Sequence, residues 1–210
     1  MKILKELVIL FILAIPFAFL GIHWNEIPKE VPLHWNSAGE IDRVGSKMEL
    51  IHVCLMCNIP VYLILLAVPY IDPKKKVSAK FIFNLRLILQ LFMSAVSIFI
   101  LISSSKADLI SVEYIFVLIG LLFSCLGLYF RNLKPNYFIG IRTPWTLEDD
   151  TNWYKTHKMQ GYLWIIGGLA IMTSFLIVPK EWFMTSFFII MGILLIVPMA
   201  YSFLIFKKKK

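Results

Sequence analysis

The sequence predicts an all-α integral membrane protein with six transmembrane helices and both termini in the cytoplasm. Three observations predict it. First, 59% of the 210 residues are hydrophobic and only 16% charged, with a mean hydropathy of +0.78, well beyond ordinary globular usage. Second, the apolar residues gather into six runs, near residues 7–22, 50–71, 81–102, 112–130, 162–178 and 183–206. Each is close to the about 20 residues that cross a hydrocarbon core of about 30 Å. Runs such as 81–102 are apolar nearly throughout, whereas the strands of a membrane barrel alternate apolar and polar residues. Third, with the N-terminus inside, the cytoplasmic segments hold Lys2, Lys5, Lys74, Lys75, Lys76, Lys80, Arg131, Lys134, Arg142, Lys155, Lys158 and Lys207 to Lys210. The opposite side holds only Lys29, Arg43, Lys47, Lys106 and Lys180. That asymmetry is a positive-inside signal, so the net charge of +8 reports topology and not direct nucleic-acid binding. The lysine tail is also suited to anionic lipid.

The chain divides into an N-terminal two-span unit, residues 1–75, and a four-span unit, residues 76–210. Lys2 and Lys5 precede the first run. Ala14 and Ala18 are followed by bulky Phe19 and Leu20, a poor cleavage site, so the run is expected to remain as an anchor. Residues 23–47, HWNEIPKEVPLHWNSAGEIDRVGSK, form the only sizeable external segment. Val31, Leu33 and Trp35 alternate with polar neighbours, residues 36–39 signal a turn, and residues 41–44 can return as a second strand. Pro28 and Pro32 confine the first strand to an edge. A small hairpin or ordered loop is expected there, with Trp24 and Trp35 as interfacial anchors.

Residues 72–80 read as a short basic turn and residues 103–108 as a short polar loop. Cys54 and Cys57 share a helix face within an apolar run and read as small hydrophobes; no metal or cofactor site is expected. His52, Arg86 and Glu113 lie near span ends, where snorkelling relieves their cost. Asn58, Asn84 and Gln90 are suited to hydrogen bonds between helices.

The densest polar stretch is the cytoplasmic loop at 131–161, which carries KPNYFIGIRTPWTLEDDTNWYKTHKMQG at 134–161. Residues 136–142 alternate and read as extended, with Gly140 allowing a bend. Thr146 to Asp149 fits a capping box, so a helix is expected from Leu147, bending near Gly161 into the fifth span. Trp153, His157, Gly161 and Trp164 then share one face. Arg142 is expected to pair with Glu148, Asp149 or Asp150. His157 is expected to pack on Trp153 or cap a turn, and Trp145, Trp153 and Tyr154 to anchor at the interface.

Two stretches resemble a known family. Residues 27–47, IPKEVPLHWNSAGEIDRVGSK, with their adjacent spans, are similar to an N-terminal domain of unknown function that often accompanies the SdpI-type immunity proteins of bacterial membranes. Residues 134–147, KPNYFIGIRTPWTL, with Trp153-x-x-x-His157-x-x-x-Gly161, resemble that family's defining motif. The resemblance implies a multi-pass protein of the bacterial cytoplasmic membrane that protects against a secreted peptide toxin. In the family's best-known member it also implies holding a transcriptional repressor at the membrane. The implied partners are the lipid bilayer, the toxin and the repressor; no catalytic site is implied. The candidate motif residues are Asn136, Gly140, Arg142, Thr143, Trp145, Thr146, Trp153, His157 and Gly161. The candidate toxin-facing residues are Pro28, Pro32, His34, Asn36, Gly39, Asp42, Ser46 and Lys47. Two other readings remain open. One is a membrane enzyme using Arg142, Asp149 and His157 on a phosphate or peptide bond. The other is a small transporter or exporter subunit with spans kinked at Pro16, Pro60 and Pro198.

Overall fold

A computed structural model describes residues 2–36, 39–71, 78–105 and 111–209. Ser37 and Ala38 of the expected turn, residues 72–77 of the basic turn with Lys74, Lys75 and Lys76, residues 106–108 of the polar loop with Lys106, and Lys210 lie outside the described residues. The helices are α1 (Lys2–His23), α2 (Glu49–Ile71), α3 (Ala79–Ser105), α4 (Ile115–Phe130), α5 (Pro144–Glu148), α6 (Asp150–Ile177) and α7 (Lys180–Lys207). Strands β1 (Glu30–Trp35) and β2 (Ile41–Ser46) lie between α1 and α2. Among the described residues, four stretches are long and apolar enough to cross a membrane: Ile3–His23, Glu49–Tyr70, Ala79–Ser105 and Lys180–Lys207. Tyr114–Phe130 is apolar but shorter. The chain forms two compact units, one of Met1–Leu65 with Arg86–Leu118, the other of Leu66–Leu85 with Ile119–Lys210.

In the first unit, β1 and β2 pair antiparallel as a hairpin, Glu30 opposite Ser46 and Trp35 opposite Ile41. Val31 and Ile27 are buried in a cluster with Leu20, Leu50, Cys54 and Leu101, which seats the hairpin on the helices. Polar side chains then tie α1, α2 and α3 together. Pro16 lies inside α1 and has no N–H, so the Ile12 carbonyl four residues earlier loses its helical partner. Ser94 of α3 supplies one: its O–H lies 2.9 Å from that carbonyl and 3.0 Å from Asn58 Oδ1, and its single proton is shared. Asn58, fully buried, also accepts from Gln90 at 2.8 Å and donates to Ser97 Oγ at 2.9 Å. The expected interhelical bonds of Asn58 and Gln90 are therefore present. Arg86 departs from expectation. It does not snorkel but grips Glu6 of α1 with two N–H groups, at 3.0 and 2.6 Å, and Tyr62 donates to the same carboxylate at 2.7 Å. A charge with its counter-charge one helix away need not reach for water.

In the second unit α4 and α6 run antiparallel along a seam of small residues. A Cβ on Gly127 would stand 2.6 Å from the Gly161 carbonyl, and one on Gly161 the same distance from the Gly127 carbonyl. Seven residues along each helix, Gly120 and Gly168 meet in the same way. Gly161, expected to be a bend, is instead the point where a backbone comes close, the usual role of glycine between helices in lipid. Between these two contacts Trp164 packs edge-on to Phe123 and tilted against Phe130, ring centroids 4.9 and 5.1 Å apart. Pro198 lies inside α7 and strips the Leu194 carbonyl of its partner, as Pro16 does in α1. Trp164 Nε1 donates to that carbonyl at 3.1 Å.

A double-mutant cycle tests this pairing. Trp164→Phe leaves a buried carbonyl bare and should cost about 1–3 kcal/mol in the purified protein. In a Pro198→Ala background, where the backbone N–H is restored, the same substitution should cost markedly less. Equal costs in both backgrounds, measured by unfolding, contradict the assignment.

Candidate functional site

The polar stretch after α4 does not run extended, as its alternation suggested; it folds around Asn136. The fully buried Asn136 side chain accepts from the Phe138 and Ile139 N–H groups at 2.8 and 2.7 Å and donates to the Lys134 and Ile139 carbonyls at 3.0 and 3.2 Å. One amide thus uses both its donors and both its acceptor sites on backbone, and the chain turns.

The turn brings Gly140 onto His157. Gly140 has φ of +105°, a conformation that disfavours any Cβ, and a Cβ there would overlap the His157 ring. His157 is fully buried and lies over Trp153, ring centroids 4.1 Å apart. Its Nδ1 is 2.8 Å from the Trp153 carbonyl, and its Nε2 accepts the Ile141 N–H at 2.9 Å. A carbonyl can only accept and an amide can only donate, so the proton must sit on Nδ1 and the ring is neutral. Burial pushes the imidazole pKa down to about 4, in the same sense. No lone pair is left for a metal, a substrate or a proton in transit.

The other motif residues extend this clasp. Trp153 is buried and donates to the Leu133 carbonyl at 2.8 Å, so it is an internal strut and not the interfacial anchor expected. Tyr154 stays exposed. Thr143, not Thr146, is the N-cap of α5, with Pro144 at the first turn, where a proline's missing N–H costs nothing. Thr146 sits inside α5, accepts the Thr143 N–H at 3.0 Å and turns its hydroxyl proton to the Ile141 carbonyl at 2.8 Å. The chain breaks at Asp149, which starts α6 by accepting the Thr151 N–H at 2.9 Å. The single helix expected from Leu147 is therefore two. Arg142 is exposed and donates to the Tyr137 carbonyl at 2.6 Å. The expected ion pair to Glu148, Asp149 or Asp150 is not made; Asp149 instead takes Lys209 of the C-terminal tail at 2.6 Å, which holds its carboxyl below the usual range.

The C-terminal end of α7 closes the clasp, a contribution the sequence reading missed. Trp145 donates to Ser202 Oγ at 2.9 Å and stacks on Phe206. Asn152 donates to the Ser202 carbonyl at 2.9 Å and accepts from Thr156 at 3.0 Å. Asn152, Thr156 and Gln160 recur every four residues beside the Trp153, His157, Gly161 row, and all three are buried. That spacing was the available signal.

Family comparison covers this element. A model of the SdpI/YfhL protein family matches residues 132–202. In this stretch the chain resembles the SdpI/YfhL family. A second model, a domain of unknown function called DUF1648, matches residues 11–57. Among curated proteins, "Immunity protein SdpI" of Bacillus subtilis (strain 168) is 22% identical over 168 residues, covering 80% of this chain and 79% of that protein. No solved structure matches the chain. The likeness and the long apolar helices make this a multi-pass bacterial membrane protein.

The SdpI/YfhL match begins one residue before Leu133 and ends at Ser202, two of the clasp's partners. The DUF1648 match takes in the hairpin, where the second set of candidates lies. His34 Nδ1 is 2.6 Å from Asp42 across the strands. Asn36 and Glu40 bond each other through side chain and backbone at the turn, and Gly39 has φ of +80°. Lys47 Nζ reaches the Trp24 carbonyl at 3.1 Å and lies 4.5 Å over its ring. Ser46 Oγ accepts the Met48 N–H at 3.3 Å. Pro28 is exposed, and the Pro32 carbonyl accepts from Ser104 of α3 at 2.7 Å. A cleft of about 430 Å³ is lined by Lys29, Glu30, Val44, Gly45 and Ser46.

Two outcomes follow from the clasp. Gly140→Ala should destabilise the protein by about 2 kcal/mol or more, since it adds backbone strain to overlap with His157. Gly192→Ala, in α7 with nothing within 4 Å of the new methyl, should be neutral or stabilising by up to about 1 kcal/mol. Similar costs at both sites in an unfolding experiment would remove the clasp argument. The second concerns pH. His157 has a lowered folded pKa, so the unfolded chain binds the extra proton as pH falls below about 6.5. Stability should be complete above that pH, fall by up to about 3 kcal/mol as pH drops to about 4, and flatten below. His157→Gln should remove this slope; an unchanged slope assigns it elsewhere.

Proposed function

We propose that this chain is a non-enzymatic immunity protein that gives its cell resistance to a secreted peptide toxin. It does so as a six-span protein with both termini in the cytoplasm. The observation that carries the reading is the match to the Bacillus immunity protein across four-fifths of both chains. In this reading the DUF1648 hairpin faces outwards and meets the toxin. Its exposed polar edge, His34 with Asp42 and Asn36 with Glu40, offers charged and hydrogen-bonding groups to a peptide. The Ser104 bond to Pro32 ties that hairpin to α3, whose polar face holds α1 and α2. Toxin on the hairpin is thereby felt along the first unit.

The SdpI/YfhL clasp, on the cytoplasmic side, is the element that would hold a repressor. Exposed Tyr154 is a contact on that element. The enzyme reading loses its base, because both nitrogens of His157 are already engaged, and Asp149 is engaged by Lys209.

Expression in a toxin-sensitive bacterium tests the proposal. Survival under a cognate toxin should rise, and combined His34→Ala and Asp42→Ala should lower it at equal membrane level. Tyr154→Ala should spare survival while weakening capture of a repressor from membranes. No gain in survival against any cognate toxin contradicts the immunity reading.

A further inference from the structure

Beside the clasp is a cavity of about 280 Å³, bounded by residues 140–143 and Gln160, and by Leu194, Leu195 and Met199 of α7. Its chemistry is divided. Arg142 has one N–H on the Tyr137 carbonyl, and a guanidinium carries five; no carboxylate neutralises it among the described residues. Gln160 is 3% exposed, and its amide oxygen has no hydrogen-bond partner. Gln160 is also one of the residues that line this cavity. The remaining wall is apolar, and Leu195 and Met199 are 53% and 51% exposed, so the cavity opens onto the outer face of an apolar helix.

We propose that this cavity seats the headgroup of an anionic phospholipid bearing hydroxyls, of the phosphatidylglycerol class. Arg142 holds the phosphate through charge-assisted hydrogen bonds. The Gln160 amide meets a headgroup hydroxyl, and the acyl chains leave along Leu195 and Met199. Size supports this division. Pockets for whole drug-sized ligands start at about 300 Å³, so this one takes a headgroup while the chains stay in the bilayer. A soluble anion would use Arg142 but gain nothing from the apolar wall. Lipid would bind the clasp where the 140–143 turn passes α7, a role distinct from toxin recognition by the hairpin.

Native mass spectrometry of the full chain, exchanged into an equal mixture of phosphatidylglycerol and phosphatidylcholine, tests the site. Phosphatidylglycerol should be retained preferentially. Arg142→Ala should weaken its retention roughly tenfold, the value of a charged hydrogen bond. Gln160→Leu should weaken it several-fold, and Met199→Trp, which fills the cavity, should abolish the preference. Should Arg142→Ala fail to fold, the other two variants decide. Glycerol 3-phosphate at millimolar concentration should not compete. Equal retention of both lipids, a preference that survives Gln160→Leu and Met199→Trp, or effective competition by glycerol 3-phosphate each overturns the proposal.

Discussion

Every backbone carbonyl that loses its helical partner in lipid has to be given another, because no water is there to take it. Much of the structure follows from that constraint. Pro16 and Pro198 each strip a carbonyl inside an apolar helix, and in each case a side chain from the neighbouring helix takes it: Ser94 for Ile12, Trp164 for Leu194. The prolines are therefore not only kinks. Each creates an acceptor that one partner helix, in one register, can satisfy. Apolar side chains pack against lipid tails almost as well as against each other, so specificity between spans must come from such polar bonds and from close backbone contact. The paired glycines of α4 and α6 supply the second of these.

The same logic governs the polar stretch between α4 and α6. An irregular loop folded against helices carries many backbone groups without ladder partners. Here side chains supply them. Asn136 serves four, Thr146 an N–H and a carbonyl, Arg142 and Trp153 a carbonyl each, and His157 the Ile141 N–H. The residues that looked reactive in the sequence are the ones that hold the loop shut. Asn136, Trp153, Thr146 and His157 are all fully buried, which suits struts better than reagents.

Much of this was legible in the sequence. Apolar runs locate the helices because the bilayer sets their length. Alternation and turn residues locate the hairpin because a half-buried strand has period two. The four-residue spacing of Trp153, His157 and Gly161 gave the right shared face. Spacing alone could not say that Trp153 is buried, because a tryptophan beside a span is as readily an interfacial anchor until its N–H is seen on the Leu133 carbonyl. Thr143 as the cap was legible, since Pro144 directly after it suits the first turn of a helix, a signal that favours Thr143 over Thr146. The partners furthest in sequence, Ser202 and Lys209, were invisible for a simple reason: which helix closes on the loop is a tertiary fact. Arg86 and Glu6 were missed likewise, being 80 residues apart.

The proposed immunity role calls for a surface that meets a toxin and a body that answers it, and no step in it calls for chemistry. The hairpin and the clasp are two such pieces on one chain, each pinned to helices by a small number of directional bonds. Hydrogen–deuterium exchange across residues 136–146 tests the closed clasp most directly. The account predicts slow exchange for the Phe138, Ile139 and Ile141 amides in the native protein, and selective loss of that protection in His157→Ala while the apolar core of α7 stays protected. Fast exchange of those amides in the native protein would mean an open loop and would contradict the account.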